Sequence, residues 1–255
     1  MRGEPAGDFD YERYGQHYSD IRRPDPHIAA AVRRALGTAD SLINVGAGSG
    51  SYEPDDIEVT AVEPSASMRS QRPPHLVAAI DAVAEDLPFP DHAFDAALAS
   101  VTIHQWPDLD RGLGEIRRVT RGPVVILTFD PVSLGAFWLA EYAPELMECE
   151  SARMPPIDRV VATLGGRASV DLIPLTADCT DGFAEAFFGR PEAFLDERVR
   201  RSQSAWGFID PAVEERSVEV LRAALDDGSW DRRHGALRTL DEYPASLRLI
   251  TAFPD

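Results

Sequence analysis

The chain has 255 residues, 44% of them hydrophobic, and a formal net charge of −18 at neutral pH with arginine as its only permanently charged cation. That length suits one α/β domain of generous size or a core with an inserted cap, and the apolar content is enough for a packed interior. So negative a molecule repels nucleic acid phosphate, and no apolar run approaches the roughly 18 to 20 residues that cross a bilayer, so neither nucleic acid nor membrane is expected as a partner.

The opening "MRGEPAGDFDYERYG" lacks the basic-then-apolar order of a secretory signal, which makes the cytoplasm the expected compartment. The two cysteines, Cys149 and Cys179, are then expected to be reduced thiols, and they imply no metal site.

In "YERYGQHYSDIRRPDP", Tyr11, Tyr14 and Tyr18 stand at helical spacing, so residues 1–40 are expected to form a helical cap. The same stripe is equally the half-buried face of any amphipathic helix. Four short apolar, partly β-branched runs follow: "SLINVG" (41–46), "IEVTAVE" (57–63), "AFDAALASVTI" (93–103) and "PVVILTF" (123–129). Punctuated by Gly, Pro and Asp, they read as buried strands, and a further strand is expected near 79–83. "SASMRSQ" after Pro64 and "DLDRGLGEIRRVT" after Pro107 read as helices, the second with Leu109, Leu113, Ile116 and Val119 on one face. This alternation argues a parallel, doubly wound sheet. Beyond Phe129, "VSLGAFWLAEYAPELMEC" and "PPIDRVVATLG" read as helices and "RASVDLIPL" as a strand. Residues 176–243 read as a mostly helical stretch, too long for a loop in a compact domain, lying over one edge of the sheet as a lid. "ASLRLITAF" closes the chain as a strand.

The first two strands are joined by the least material. Gly46, Gly48 and Gly50 in "GAGSG" alternate, and Ser51 stands where a dinucleotide fingerprint wants its last glycine. Alternate glycines let backbone approach a ligand without Cβ clashes. Glu63, closing the next strand, can accept two ribose hydroxyls. A pyrophosphate would prefer the N-terminal dipole of a long helix after the loop, yet only "SYEPDD" separates Gly50 from Ile57. Ribose fits and pyrophosphate does not, which favours a cationic, phosphate-free nucleoside such as S-adenosyl-L-methionine.

"LINVGAGSG", "AVEPS", "AEDLPFPDHAFDAALASVTIHQWPD" and "EIRRVTRGPVVILTFDP" together resemble class I S-adenosylmethionine-dependent methyltransferases, nearest in pattern to the small-molecule group of the ubiquinone/menaquinone biosynthesis and trans-aconitate types. The resemblance spans roughly Tyr14 to Asp130. It implies an α/β, doubly wound, mostly parallel seven-stranded sheet, here with a shortened first crossover and a helical lid before the last strand. The implied division is a helical cap over 1–40, an α/β core over 41–175, a lid over 176–243 and a final core strand over 244–255. By resemblance, Gly46, Ala47 and Gly48 pass under the methionine part of the cofactor, Glu63 holds its ribose, and Ala84 and Glu85 read its adenine. Tyr18 or an arginine of the entry segment, Arg23 by preference, reaches its carboxylate. Two departures stand out. Val83 replaces the aspartate usual before "AE", and the missing first helix leaves Ser51 and Tyr52 to take its place.

"SVTIHQWPD" follows the fourth strand, at the end where α/β sheets place ligands, which puts Ser100 on the cofactor. His104 has a side chain suited to taking a proton near neutral pH and is either the catalytic base or a residue that shapes the pocket. Trp106 either packs against a ligand or caps the core. In the lid, Phe183, Phe187, Phe188, Phe194 and Trp206 form either an aromatic pocket wall or a helical core. Arg190 either clamps a substrate carboxylate or pairs with Glu185. The expected function is in-line methyl transfer to an O, N or C nucleophile of a small-molecule acceptor, with homodimerisation left open. The alternatives are a non-methylating S-adenosylmethionine binder, such as a cyclase or regulatory module, and a nicotinamide-dependent oxidoreductase.

Overall fold

The computed structural model describes residues 21–254, so the tyrosine stripe at 11–18, Tyr18 included, lies outside the described residues. Helix α1 (Pro26–Ala35) begins where Asp25 caps it, its Oδ1 accepting the N–H groups of His27 and Ile28 at 2.9 and 3.3 Å, with Pro26 in the first turn. It buries Ile28, Ala31 and Val32.

Strands β1 (Ser41–Val45), β2 (Glu58–Val62), β3 (Ala96–Ser100), β4 (Val124–Phe129), β5 (Arg167–Leu172) and β8 (Leu247–Phe253) build one sheet in the order β2-β1-β3-β4-β8-β5. The pairs from β2 to β4 are parallel, and β8 runs antiparallel between β4 and β5. Side chains alternate across the sheet: Leu42, Leu98 and Leu127 enter one apolar cluster with α1, whereas Ile43, Ala97 and Ile126 enter the other. That second face is covered by α3 (Leu109–Val119), with Leu113 and Ile116, and by α6 (Ile157–Leu164), with Val160. Both faces are thus closed, as a parallel sheet requires.

The sheet has six strands rather than the seven expected. The run near 79–83 contributes a single parallel bridge, Val62 to Ile80, with the Ile80 N–H on the Ala61 carbonyl at 2.8 Å and the Glu63 N–H on the Ile80 carbonyl at 3.0 Å. Among the described residues no layer packs outside it, and Val77, Ile80 and Val83 are exposed, so nothing there rewards a longer ladder.

The crossover from β1 to β2 has no helix. Glu53 occupies that space instead, its carboxylate accepting two bonds from Arg72 Nη2 at 2.8 and 2.9 Å and one from Asn44 Nδ2 at 2.9 Å, with the two charged side chains 1% and 4% exposed. Arg72 follows the short helix α2 (Ala66–Ser70), whose N-cap is Ser65.

The helical run expected after Phe129 is broken by Gly135 and Pro144 into α4 (Pro131–Gly135), a tight turn at 138–141 and α5 (Pro144–Arg153). Between β5 and β8 lies an insertion, residues 173–246. It holds α7 (Glu197–Arg201), α8 (Pro211–Asp226), α9 (Ser229–His234), several tight turns and a two-residue ladder of β6 (Leu175–Thr176) with β7 (Glu242–Tyr243). Its aromatics form a core continuous with the sheet. Trp138 donates its indole N–H to the Phe188 carbonyl at 2.9 Å and meets Phe194 and Trp230 edge to face at 5.7 and 5.3 Å. No helix among the described residues is long and apolar enough to cross a membrane.

Candidate functional site

Strand order reverses between β1 and β3, and ligands of such sheets sit beyond the strand ends at that point. Gly46 leaves β1 at φ +69°, and a Cβ there would lie 2.1 Å from Thr102 Oγ1, so only glycine lets the loop pass. Gly48, at φ +52°, donates its N–H to Glu63 Oε2 at 2.8 Å, and the Ser65 N–H bonds Glu63 Oε1 at 2.8 Å. These two backbone donors place the carboxylate under the loop. Burial pushes its pKa above the usual carboxylate range, opposed by those two hydrogen bonds.

The loop opens on a cleft lined by Gly46, Ala47, Gly48, Ser51, Glu63 and Ser100 among others. Among the described residues, the Ser100 hydroxyl and the Asn44 amide oxygen are buried polar atoms without a hydrogen-bond partner, and both residues line this cleft. A buried polar atom left unpaired is costly, so the cleft is built for a polar ligand.

A second cavity shares Arg22, Val101 and Gln105 with the cleft. Val101, β-branched yet at φ +51°, is held by its N–H on the Leu127 carbonyl at 2.8 Å, a strained residue at the junction of the two spaces. Phe129, Leu146, Met147 and Phe183 give this cavity an apolar wall, and His104 and Gln203 are among its polar groups.

Gly46, Ala47, Gly48, Ser51, Glu63 and Ser100 therefore meet where the sequence reading places them, and His104 lies next door. Six residues of that reading line neither space. Arg22, not Arg23, lines the cleft, because Arg22 faces inward in a bridge to Asp181 and its extended neighbour Arg23 faces solvent. Trp106 lies against Gly112, whose added Cβ would be 2.7 Å from the indole ring and 3.3 Å from Ala84. The indole thus joins the core under α3 and leaves Ala84 buried outside the cleft lining. Glu85 also lies outside it, accepting the Asp108 N–H at 3.1 Å. Arg190 is exposed and donates to the Ala186 carbonyl at 2.7 Å, bracing a turn, while Glu185 accepts the Ser246 N–H instead. Trp206 is buried, its indole N–H on Gln203 Oε1 at 3.3 Å.

The sequence reading missed Arg22, Asn44, Asp181 and Gln105. The first two carried a signal: Arg22 adjoins the residue chosen, and Asn44 is a polar residue inside an apolar strand. Asp181 lies far along the chain and carried none.

Residues 43–126 match the methyltransferase domain family. A crystal structure from Anabaena variabilis, described as a methyltransferase from an antibiotic biosynthesis pathway, is 32% identical, covers 92% of this chain and 99% of its own, and superposes with a TM-score of 0.85. The chain belongs to the class I S-adenosylmethionine-dependent methyltransferases. Within that family it is similar to the demethylmenaquinone methyltransferase of Thermus thermophilus, 42% identical over 62 residues that cover 24% of this chain and 28% of the other. It is also similar to 2-methyl-6-phytyl-1,4-hydroquinone methyltransferase 2 of Oryza sativa, 29% identical over 115 residues that cover 41% and 33%. These curated relatives are thus matched over about a third of their length or less. The cleft fits the family's cofactor: two glycines admit close backbone approach, Glu63 is a buried acceptor, and Ser100 and Asn44 offer unpaired polar atoms.

Proposed function

We propose that this chain binds S-adenosyl-L-methionine in the cleft and methylates an O, N or C nucleophile of a small molecule held in the second cavity. The cofactor supplies an electrophilic methyl group on a sulfonium. Glu63 accepts the ribose hydroxyls, Gly46 to Gly48 pass under the methionine part, and Ser100 and Asn44 are hydrogen-bond partners for its polar groups. The observation that carries this reading is that Arg22, Val101 and Gln105 line both the polar cleft and the cavity walled by Phe129, Leu146, Met147 and Phe183.

Methyl transfer asks mainly for alignment of nucleophile and sulfonium, and the two adjoining spaces provide it. His104, lining the acceptor side, takes the proton from a hydroxyl or ammonium acceptor. Phe129, Leu146, Met147 and Phe183 exclude water around the acceptor body. The strongly negative surface argues against nucleic acid as acceptor. The insertion acts as the lid of this cavity, and the cytoplasm is the compartment in which the cofactor is met.

The test is transfer of a labelled methyl group from S-adenosylmethionine across a panel of small phenols, amines and enols. His104→Asn is expected to lower transfer to a hydroxyl acceptor about 10²- to 10⁴-fold and to leave thioether binding intact. Binding of the thioether with no label transferred to any panel member would instead favour the non-methylating reading.

A further inference from the structure

Two separate stretches of chain converge on a buried carboxylate of a third at the rim of the cleft. Asp181, in the insertion, is 3% exposed. Its Oδ1 accepts Arg22 Nε at 2.5 Å and its Oδ2 accepts the Tyr52 hydroxyl at 2.7 Å. All three residues line the cleft, and Arg22 lines the second cavity as well.

We infer that Asp181 is a positioning residue: it orients Arg22 at the junction of the two cavities and locks the glycine loop to the insertion through Tyr52, so that ligand binding in the cleft and closure of the insertion are one coupled event. This rests on the cleft being the cofactor site.

Tyr52 belongs to the short crossover and stands at φ +64°, a conformation an aromatic residue holds only when its surroundings over-determine it. Its ring is buried, and its hydroxyl also accepts the Asp25 N–H at 3.4 Å. Burial and the facing Asp181 push the phenol pKa far up, so the group stays a donor at any working pH. Behind this bond the backbones are paired. The Gly182 N–H reaches the Ile21 carbonyl at 3.2 Å, and the Thr180 N–H reaches Asp25 Oδ2 at 3.0 Å. A Cβ on Gly182 would lie 2.2 Å from Ile21 Cγ2, so the two strands approach as closely as glycine allows. The next residue, Phe183, is part of the acceptor wall and lies under the Arg22 guanidinium at 5.8 Å. A ligand that orders the loop at Tyr52 therefore orders the wall at Phe183 through a single carboxylate.

The experiment measures S-adenosylhomocysteine affinity by calorimetry, and amide exchange over residues 176–206, in the wild type, Asp181→Asn, Arg22→Ala, their double variant and Tyr52→Phe. Asp181→Asn is expected to weaken binding about tenfold, the scale of one charge-assisted hydrogen bond, and to have a smaller further effect once Arg22 is alanine, where only the Tyr52 bond is left to disturb. The thioether should slow exchange over 176–206 in the wild type and not in Tyr52→Phe, which loses one oxygen and keeps the ring's packing. An equal loss from Asp181→Asn in both backgrounds, or wild-type protection in Tyr52→Phe, would overturn the coupling alone. A wild type that does not bind the thioether would overturn the cofactor reading and this inference with it.

Discussion

Gly46 shows how a single residue decides whether the cleft exists. Its φ of +69° and the 2.1 Å approach of Thr102 Oγ1 to any added Cβ leave no room for alanine, and Thr102 Cβ at 2.9 Å cannot rotate away. Gly46→Ala should destabilise the fold by roughly 1–3 kcal/mol, seen as a lower urea midpoint. Glu63 makes a second residue-scale prediction. Its ionised form has acceptor capacity on both oxygens beyond the Gly48 and Ser65 bonds, and protonation turns one oxygen into a donor. Because burial raises its pKa, that loss begins at a higher pH than for an ordinary carboxylate. Thioether affinity should therefore fall as pH drops toward the carboxylate range, and Glu63→Gln should remove that dependence, both read by calorimetry. Spacing made Gly46, Gly48 and Glu63 legible in the sequence. The choice between Arg22 and Arg23 was not, because the direction of an extended side chain is set by a partner at Asp181, about 160 residues away.

At the scale of elements, the shortened crossover keeps its place through an ion pair rather than a helix. Glu53 and Arg72 are almost wholly buried and satisfy each other. Removing one charge strands the other: Arg72→Met should cost about 3–5 kcal/mol. Adding Glu53→Gln, which keeps an acceptor for Asn44, should restore more than half of it, measured by urea unfolding of the single and double variants. The four strands β1 to β4 were legible because each is a short apolar run between turn residues, and α3 because its leucines and isoleucine recur on one face. The strand near 79–83 looked the same in sequence but lies at the sheet edge, where no outer layer among the described residues buries it. In the insertion, turns, short helices and a two-residue ladder share one aromatic core. Periodicity there indicates burial without saying which aromatic lines a cavity, so Phe183 lines one and Trp206 does not.

Across the whole molecule, a second buried carboxylate ties the insertion to its own end, where the chain enters the last strand. Glu185 accepts the Ser246 N–H on both oxygens at 3.1 Å and the Ser246 hydroxyl as well, and burial pushes its pKa from 4.5 to about 7. The folded state therefore holds this proton more tightly than the unfolded chain does. The stabilisation is complete below pH 4.5 and is lost as pH rises to about 7. A shift of this size corresponds to about 3 kcal/mol. Glu185→Gln should flatten that part of the stability profile, followed by denaturant unfolding at pH 5, 6 and 7. This arm opposes the usual acid destabilisation, because this carboxylate has no adjacent cation bonded to it.

The proposed methyl transfer depends on the cleft between β1 and β3 taking S-adenosylmethionine. Calorimetric titration with S-adenosylhomocysteine, with NADH as control and Glu63→Ala as the paired variant, tests it most directly. Micromolar binding of the thioether at one site, no binding of NADH, and loss of the thioether in the variant are expected. A folded protein that ignores the thioether, or that binds NADH in its place, would contradict the cofactor reading.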